Sequence, residues 1–362
     1  MKKINHLYIH IPFCDSICGY CDFTRVKYNN KLVDDYLEHL EKELNSHKLK
    51  KEVLTIYVGG GTPSSLNVNQ LKRFLKILKD FSFDEFTFEA NPESLTLEKI
   101  KILNEFGVNR VSLGVQTFND KLLKIMNRHH TTKETIQVIN NLKNNGISNI
   151  SIDLMYSLPN STIDDLKSDL INFINLDIDH LSIYSLTIEP NSEFKKLNIS
   201  NLDSEIEANM YFEIASFLDK KGFKHYEISA FARNNRYSKH NLAYWNYNEF
   251  LGIGLGASSK YNSKRIDNTR NFTSYLNDNY VNEVVDLSKE DLMFENIMMS
   301  LRTMWGLDLE EFENRYQKSI FDTYLEALEK HLNKNLEIKK NHLKCKEGSL
   351  ALLNDILLDF LN

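Results

Sequence analysis

YIHIPFCDSICGYCDF, from Tyr8 to Phe23, passes from an apolar run into a loop holding three cysteines at C-x3-C-x2-C spacing. Asp22 and Phe23 follow where a fourth thiol would complete the set. Three of the chain's four cysteines within eight residues do not make a disulfide framework; such a cluster reads as metal-binding or catalytic. A structural zinc takes four closed protein ligands, and no second C-x2-C pair or nearby His completes one. A cubane iron–sulfur cluster usually takes four thiolates. With three, one iron keeps an exchangeable position that the amine and carboxylate of an amino acid can fill.

Outward from this loop, β-rich runs alternate with segments of 3.6-residue apolar spacing. Strands are expected at 6–11, 54–59, 86–90, 110–115, 149–156 and 180–186, with a short one at 225–229. Helices are expected at 31–46, 67–79, 96–106, 132–145, 162–175 and 203–221. The strands read as apolar on both faces, which implies parallel βαβ units, and six in succession predict a barrel or part of one. After about residue 232 the rhythm breaks into RNNRYSKHNLAYWNYNEFLGIGLGASS, polar, aromatic and without a clear period. Helices then return at 289–302, 308–314 and 318–334, and the tail reads as two short strands and a closing helix. The expectation is an α/β fold, a partial (β/α)6 barrel of TIM type over 1–232. A smaller, mostly helical domain, winged-helix-like at its end, follows over 233–362.

The composition bounds the function. Hydrophobic content of 42% with 26% charged is ordinary for a globular protein, and a net charge of −6 argues against a dedicated nucleic-acid binder. No apolar run approaches the roughly 18 residues of a membrane span, and the first residues lack the apolar core of a signal peptide. A cytoplasmic protein without a transmembrane segment is expected, with peripheral membrane contact left open.

Chemistry-bearing residues collect where the expected strands end. Cys14, Cys18 and Cys21 follow the first strand, Gly59, Gly60, Gly61 and Thr62 the second; Glu89 closes the third, Gln116 the fourth, and Asp153 lies within the fifth. In a parallel barrel these ends share one rim, where active sites sit. Glycines in GGGTP admit a ligand close to the backbone, or form a bland strand–helix turn; no G-K-[ST] marks a phosphate loop. Glu89 can accept hydrogen bonds from a ribose diol or an ammonium, or cap the next turn.

The cysteine loop with an aromatic before its third thiol, followed by GGGTP, resembles the radical S-adenosylmethionine superfamily. The longer pattern of YIHIPFC, GGGTPS, FEANPES, LGVQTF, NRHH and IDLMYSLP resembles the branch of oxygen-independent coproporphyrinogen III oxidases and haem chaperones, over nearly the whole chain. The resemblance implies that Cys14, Cys18 and Cys21 hold a [4Fe–4S] cluster whose fourth iron binds S-adenosylmethionine. It places Tyr8 and Tyr20 beside cluster and cofactor, and Gly60, Gly61 and Thr62 at the methionine end. Glu89, Gln116, Arg128 and Asp153 match the remaining cofactor positions. In the family's chemistry an electron delivered to the cluster cleaves the sulfonium and releases a 5′-deoxyadenosyl radical.

Within that branch the oxidases resemble C-x3-C-x2-C-x-C and carry an N-terminal extension; here the last position is Phe23 and the first strand begins near residue 6. HNLAYW resembles the haem-contacting H-N-x-x-Y-W segment of the chaperones, with His240, Asn241, Tyr244 and Trp245 as haem contacts. An imidazole can ligate haem iron, and the two aromatics offer flat faces to a porphyrin. The resemblance therefore implies a haem chaperone. It would bind haem, the cluster and S-adenosylmethionine, take acceptor haemoproteins as partners and use a small reductant protein such as flavodoxin. The alternative is oxidative decarboxylation of coproporphyrinogen III, and whether S-adenosylmethionine is cleaved stays open.

Overall fold

The protein is described from a computed structural model that covers residues 3–361. Six strands lie side by side in chain order, all parallel: β1 (His6–Ile11), β2 (Thr55–Gly60), β3 (Glu85–Ala90), β4 (Arg110–Gln116), β5 (Asn149–Tyr156) and β6 (His180–Ser185). The connecting helices are α1 (Asn30–Ser46), α2 (Val68–Leu78), α3 (Leu97–Glu105), α4 (Thr132–Asn144) and α5 (Ile163–Asn175). Their starts are written locally. Asn67 with Gln70, Thr131 with Glu134 and Thr162 with Asp165 form reciprocal capping boxes at α2, α4 and α5.

The strands are not apolar on both faces, as expected from sequence; they alternate. Leu7, Ile9, Ile56, Val58, Phe86, Phe88, Val111, Leu113, Ile150, Ile152, Leu181 and Ile183 join the main hydrophobic core under the helices. The alternate positions are polar and turn to the barrel interior: His6, Tyr8, His10, Thr55, Tyr57, Thr87, Glu89, Arg110, Ser112, Ser151, Asp153, His180 and Ser182. The period of two puts every second side chain on the inner face. The apolar partners of the outer face had masked that pattern. Where a closed barrel of this class usually packs its interior with branched apolar residues, this one holds a polar cavity.

Beyond β6, α6 (Ser204–Lys220) leads to β7 (Lys224–Glu227) and β8 (Ala230–Ala232), which extend the sheet antiparallel beside β6. The short helix α7 (Lys239–Trp245) follows, and β9 (Leu251–Ile253) pairs parallel with β1 on the opposite edge, completing nine strands. Next comes an antiparallel sheet of β10 (Ser258–Tyr261), β11 (Lys264–Asn268) and β12 (Val281–Asp286). Leu251, Ile253, Leu255 and Tyr275 all belong to the barrel core, so packing carries past the expected division at 232.

A second core runs from Met293 to Phe360. It is formed by α8 (Lys289–Ser300), β13 (Leu307–Asp308), α9 (Leu309–Tyr316), α10 (Leu325–His331), β14 (Leu336–Lys339), β15 (His342–Cys345) and α11 (Leu353–Leu358). Its small sheet has the order β13-β15-β14. The expected helix over 318–334 is interrupted: Tyr324 ends a short helix and precedes α10. Among the described residues no helix is long and apolar enough to cross a membrane.

Candidate functional site

The cysteine loop is fastened at several points. Val26 N–H donates to the Pro12 carbonyl at 2.7 Å and Tyr28 N–H to the Cys14 carbonyl at 2.9 Å, closing the loop base. Asn127 donates to the Ile17 carbonyl at 2.8 Å, and Phe194 N–H donates to the Gly19 carbonyl at 2.9 Å. A Cβ on Gly19 would sit 2.5 Å from the Phe194 ring, so the close approach of these two segments requires glycine.

All three thiols are free and line one cavity of about 550 Å3. Thr62 Oγ1 donates to Cys14 Sγ at 3.4 Å, and Arg128 Nη1 reaches Cys18 Sγ at 3.5 Å. Burial pushes the Cys14 thiol up to about 11, and the other two thiols add to the shift. Cys21 rises for the same first reason. Three mutually repelling thiols can be ionised together only around concentrated positive charge. Among the described residues no three His, Cys, Asp or Glu side chains converge to hold a single metal ion. A polynuclear cluster, in which each thiolate takes its own iron, suits this set better. Arg25 and Arg128 also line the cavity, and each leaves its buried Nε without a partner, a second sign that the cavity is shaped for a ligand.

The wall beneath is built from strand ends. Gly60, at φ +114°, has an N–H that donates to Glu89 Oε2 at 3.2 Å, and a Cβ there would meet the His10 ring at 2.5 Å. His10 in turn bridges Tyr8 OH at 3.0 Å and the Thr24 carbonyl at 2.9 Å, tying β1 to the segment after the third cysteine. Tyr57 OH donates to Glu89 Oε1 at 2.6 Å. Burial pushes Glu89 up to about 7, with the Asp153 charge adding to it. Burial likewise lifts Asp153 to about 6, while Ser112 donates to both of its oxygens at 3.2 Å. Gln116 sits at φ +69° just after a register shift in β4, a strained position at the mouth of the cavity. Arg128 clamps the Gly114 carbonyl at 2.6 Å; Glu93 and its neighbours keep it charged against the cost of burial. His130, beside it, is buried and holds Glu93 at 3.0 Å.

Of the residues singled out from sequence, the structure brings Cys14, Cys18, Cys21, Tyr20, Gly60, Gly61, Thr62, Glu89, Gln116, Arg128, Asp153 and Asn241 to the same cavity. Tyr8 lies behind the wall, stacked on Tyr57 with centroids 6.1 Å apart. The H-N-x-x-Y-W segment forms α7 at the N-terminal end of the barrel strands. His240 is fully buried there, its ring hydrogen-bonded to Thr55 Oγ1 at 2.6 Å and to Tyr244 OH at 2.8 Å, and its backbone N–H donates to Glu85 Oε1 at 3.0 Å. Burial drives its pKa down to about 3, so the ring is neutral. Both ring nitrogens are occupied, and His240 presents neither to the cavity. Tyr244 and Trp245 are half-buried, and Trp245 Nε1 has no partner. Sequence reasoning missed Tyr57, Arg110, Ser112, Ser182 and Tyr184, all on the cavity wall. The signal was the alternation of polar residues along β2, β4, β5 and β6.

The chain resembles known proteins over its whole length. Residues 8–171 match the family model described as the radical SAM superfamily, and residues 287–348 match the HemN C-terminal domain. A protein named heme chaperone HemW from Lactococcus lactis is 38% identical, covering 100% of both chains. One of the same name from Bacillus subtilis is 36% identical over 91% of each. The solved structure of Escherichia coli coproporphyrinogen III oxidase, a radical SAM enzyme, superposes with a TM-score of 0.86 at 23% identity, covering 99% of this chain and 90% of that one. At that identity the likeness speaks for the fold.

Proposed function

The chain belongs to the HemW family of the radical S-adenosylmethionine superfamily, and on that premise we propose that it is a haem chaperone, binding haem beside a [4Fe–4S] cluster and S-adenosylmethionine and passing haem to acceptor haemoproteins. The observation that carries this reading is the unbroken full-length likeness to proteins named as haem chaperones. Phe23 supports it: the side chain at the position of the oxidases' extra cysteine is 70% exposed at the cavity mouth. The proposed setting is the cytoplasm, with a small flavodoxin-type protein as electron source.

Cys14, Cys18 and Cys21 would hold the cluster, which with S-adenosylmethionine supplies one-electron cleavage of a sulfonium bond. The rest falls to side chains. Thr62 and Arg128 fix two of the sulfurs and offset their charge. Gly60 and Gly61 let the backbone approach the ligand, while Tyr20 and Gln116 bound it laterally. Glu89 and Asp153 face the cavity as acceptors for hydroxyl or ammonium groups, and their burial makes each such hydrogen bond count for more than it would in water. For haem, α7 offers only Asn241 to the cavity in this conformation, while Tyr244 and Trp245 lie outside its lining. Iron ligation by His240 requires Nε2 to leave Tyr244.

The test is a haem titration of the anaerobically reconstituted protein followed by addition of an apo-haemoprotein. Stoichiometric binding and transfer are expected. Vinyl product from coproporphyrinogen III with reductant and S-adenosylmethionine, without haem binding, would replace this reading with the oxidase.

A further inference from the structure

Arg110 is the largest fully buried side chain among the described residues, 1% exposed on β4. Its guanidinium lines the cavity, yet it makes no ion pair with any described residue. Nε has no hydrogen-bond partner. Nη2 reaches Nδ1 of His180 at 3.5 Å, a nitrogen that Ser151 Oγ already engages at 2.7 Å. A guanidinium cannot shed its proton at any working pH, so burial leaves it no escape by neutralisation. A buried charge without a partner is strongly unfavourable, and native structures supply the partner from protein, water or ligand.

The protein supplies little. Glu89 and Asp153 share the cavity and feel the Arg110 charge, but neither lies within ion-pairing distance of its guanidinium. In the sheet Arg110 is level with Thr87 and Asn149, one inward position below Ser112 and Glu89. It therefore stands beneath the strand ends that carry the cysteine loop. The other two arginines on the cavity wall, Arg25 and Arg128, belong to that rim. Below Arg110 the barrel is closed: His180 Nε2 is engaged by Tyr226 OH at 2.7 Å, and α7 is held on Glu85. Around it stand the hydroxyl-bearing walls of Tyr57, Ser112, Ser182 and Tyr184. This is a blind polar pocket with a permanent cation at its foot, the setting that planar two-point recognition of a carboxylate requires.

We propose that Arg110 is a binding residue for a carboxylate on a ligand arm reaching down into the barrel, and that the ligand is a porphyrin held by one propionate. The inference rests on the haem reading and deepens it. The amino-acid end of S-adenosylmethionine belongs at the opposite end, beside the cysteines, which leaves the foot of the cavity for a second molecule. A propionate on a two-carbon stem brings its own charge and satisfies Nε and Nη together.

Haem and haem dimethyl ester, whose propionates are masked, are titrated into the cluster-loaded protein with S-adenosylmethionine present. Wild type is compared with Arg110→Gln and Arg110→Lys, with iron content per chain and melting temperature as folding controls. Wild type should bind haem roughly tenfold more tightly than the diester. Arg110→Gln should bind the two alike, and Arg110→Lys should keep part of the preference. If wild type shows no preference, the proposal falls and the haem reading stands, whether or not the variants fold. A preference that survives in a folded Arg110→Gln also overturns it. Absence of haem binding by wild type would bring down both readings.

Discussion

At the C-terminal rim of the barrel, Arg25 and Arg128 leave nitrogens unpaired beside three free thiols, and Gln116 holds a left-handed backbone. At the opposite end the same kinds of polar side chain are mostly paired off, Trp245 Nε1 excepted. His6 contacts Thr55 at 2.9 Å, Thr55 contacts His240, His240 contacts Tyr244, and Glu85 caps the N–H groups that start α7. Buried polar groups that are satisfied rigidify a fold, whereas unsatisfied ones mark where a ligand completes the structure. Composition does not separate the two ends; saturation does. The H-N-x-x-Y-W segment, read from sequence as a haem contact, sits at the saturated end, and in this conformation its histidine works as a latch.

The comparison can be broken or sharpened, beginning at the rim. Cys14→Ala should abolish nearly all bound iron, measured per chain after reconstitution, with the melting temperature of the iron-free protein little changed. A large loss of stability would mean that the thiols, too, belong to the fold. At the floor, His240→Ala should do the reverse. It removes two side-chain hydrogen bonds, one of them fully buried, and opens a cavity, so denaturant unfolding should show a loss of about 2–4 kcal/mol with iron content intact. Lost haem binding at unchanged stability would reverse the assignment and make the floor a ligand site.

Glu89→Gln tests the cavity wall. Burial raises the folded-state pKa of Glu89 to about 7, so the folded protein keeps a proton that the unfolded chain releases near 4.5. The stability this gives is fully present below about 4.5 and is lost as pH rises through about 7. Wild type should therefore lose stability relative to Glu89→Gln over that window in the absence of ligand, and the difference should level off above it. A difference that does not change with pH would show that the carboxyl is solvated. The smallest effect belongs far from either end. Thr131→Ala removes one half of the α4 capping box and should cost about 1 kcal/mol while leaving iron and haem binding unchanged.

The barrel's six parallel units were readable from apolar spacing, and the structure adds local start signals that the spacing did not use. The N-x-x-Q, T-x-x-E and T-x-x-D boxes lie within a residue or two of the expected starts of α2, α4 and α5. β9 was not readable: three residues inside an aperiodic, glycine-bearing stretch become a strand only because β1 offers an open edge. The long helix over 318–334 failed for a related reason, since the apolar spacing continues through Tyr324 while the chain turns to fill the second core. In the site, the cysteines, GGGT, Glu89 and Asp153 were legible from residue type and strand-end position. Arg110 was missed although RVSLGVQ alternates and sets Arg110, Ser112 and Gln116 on one face, because the strand was read as apolar on both faces.

The sequence by itself determined the cysteine spacing, the order of β and α units and the identity of the side chains at the strand ends, all of which depend on neighbours a few residues apart. The tertiary structure decided which polar groups find partners. His240 meets Thr55 across 185 positions and is saturated, whereas Arg110 meets His180 across 70 and is left almost bare. Pairing of a buried charge depends on distances between strands distant in sequence, and no local pattern encodes them.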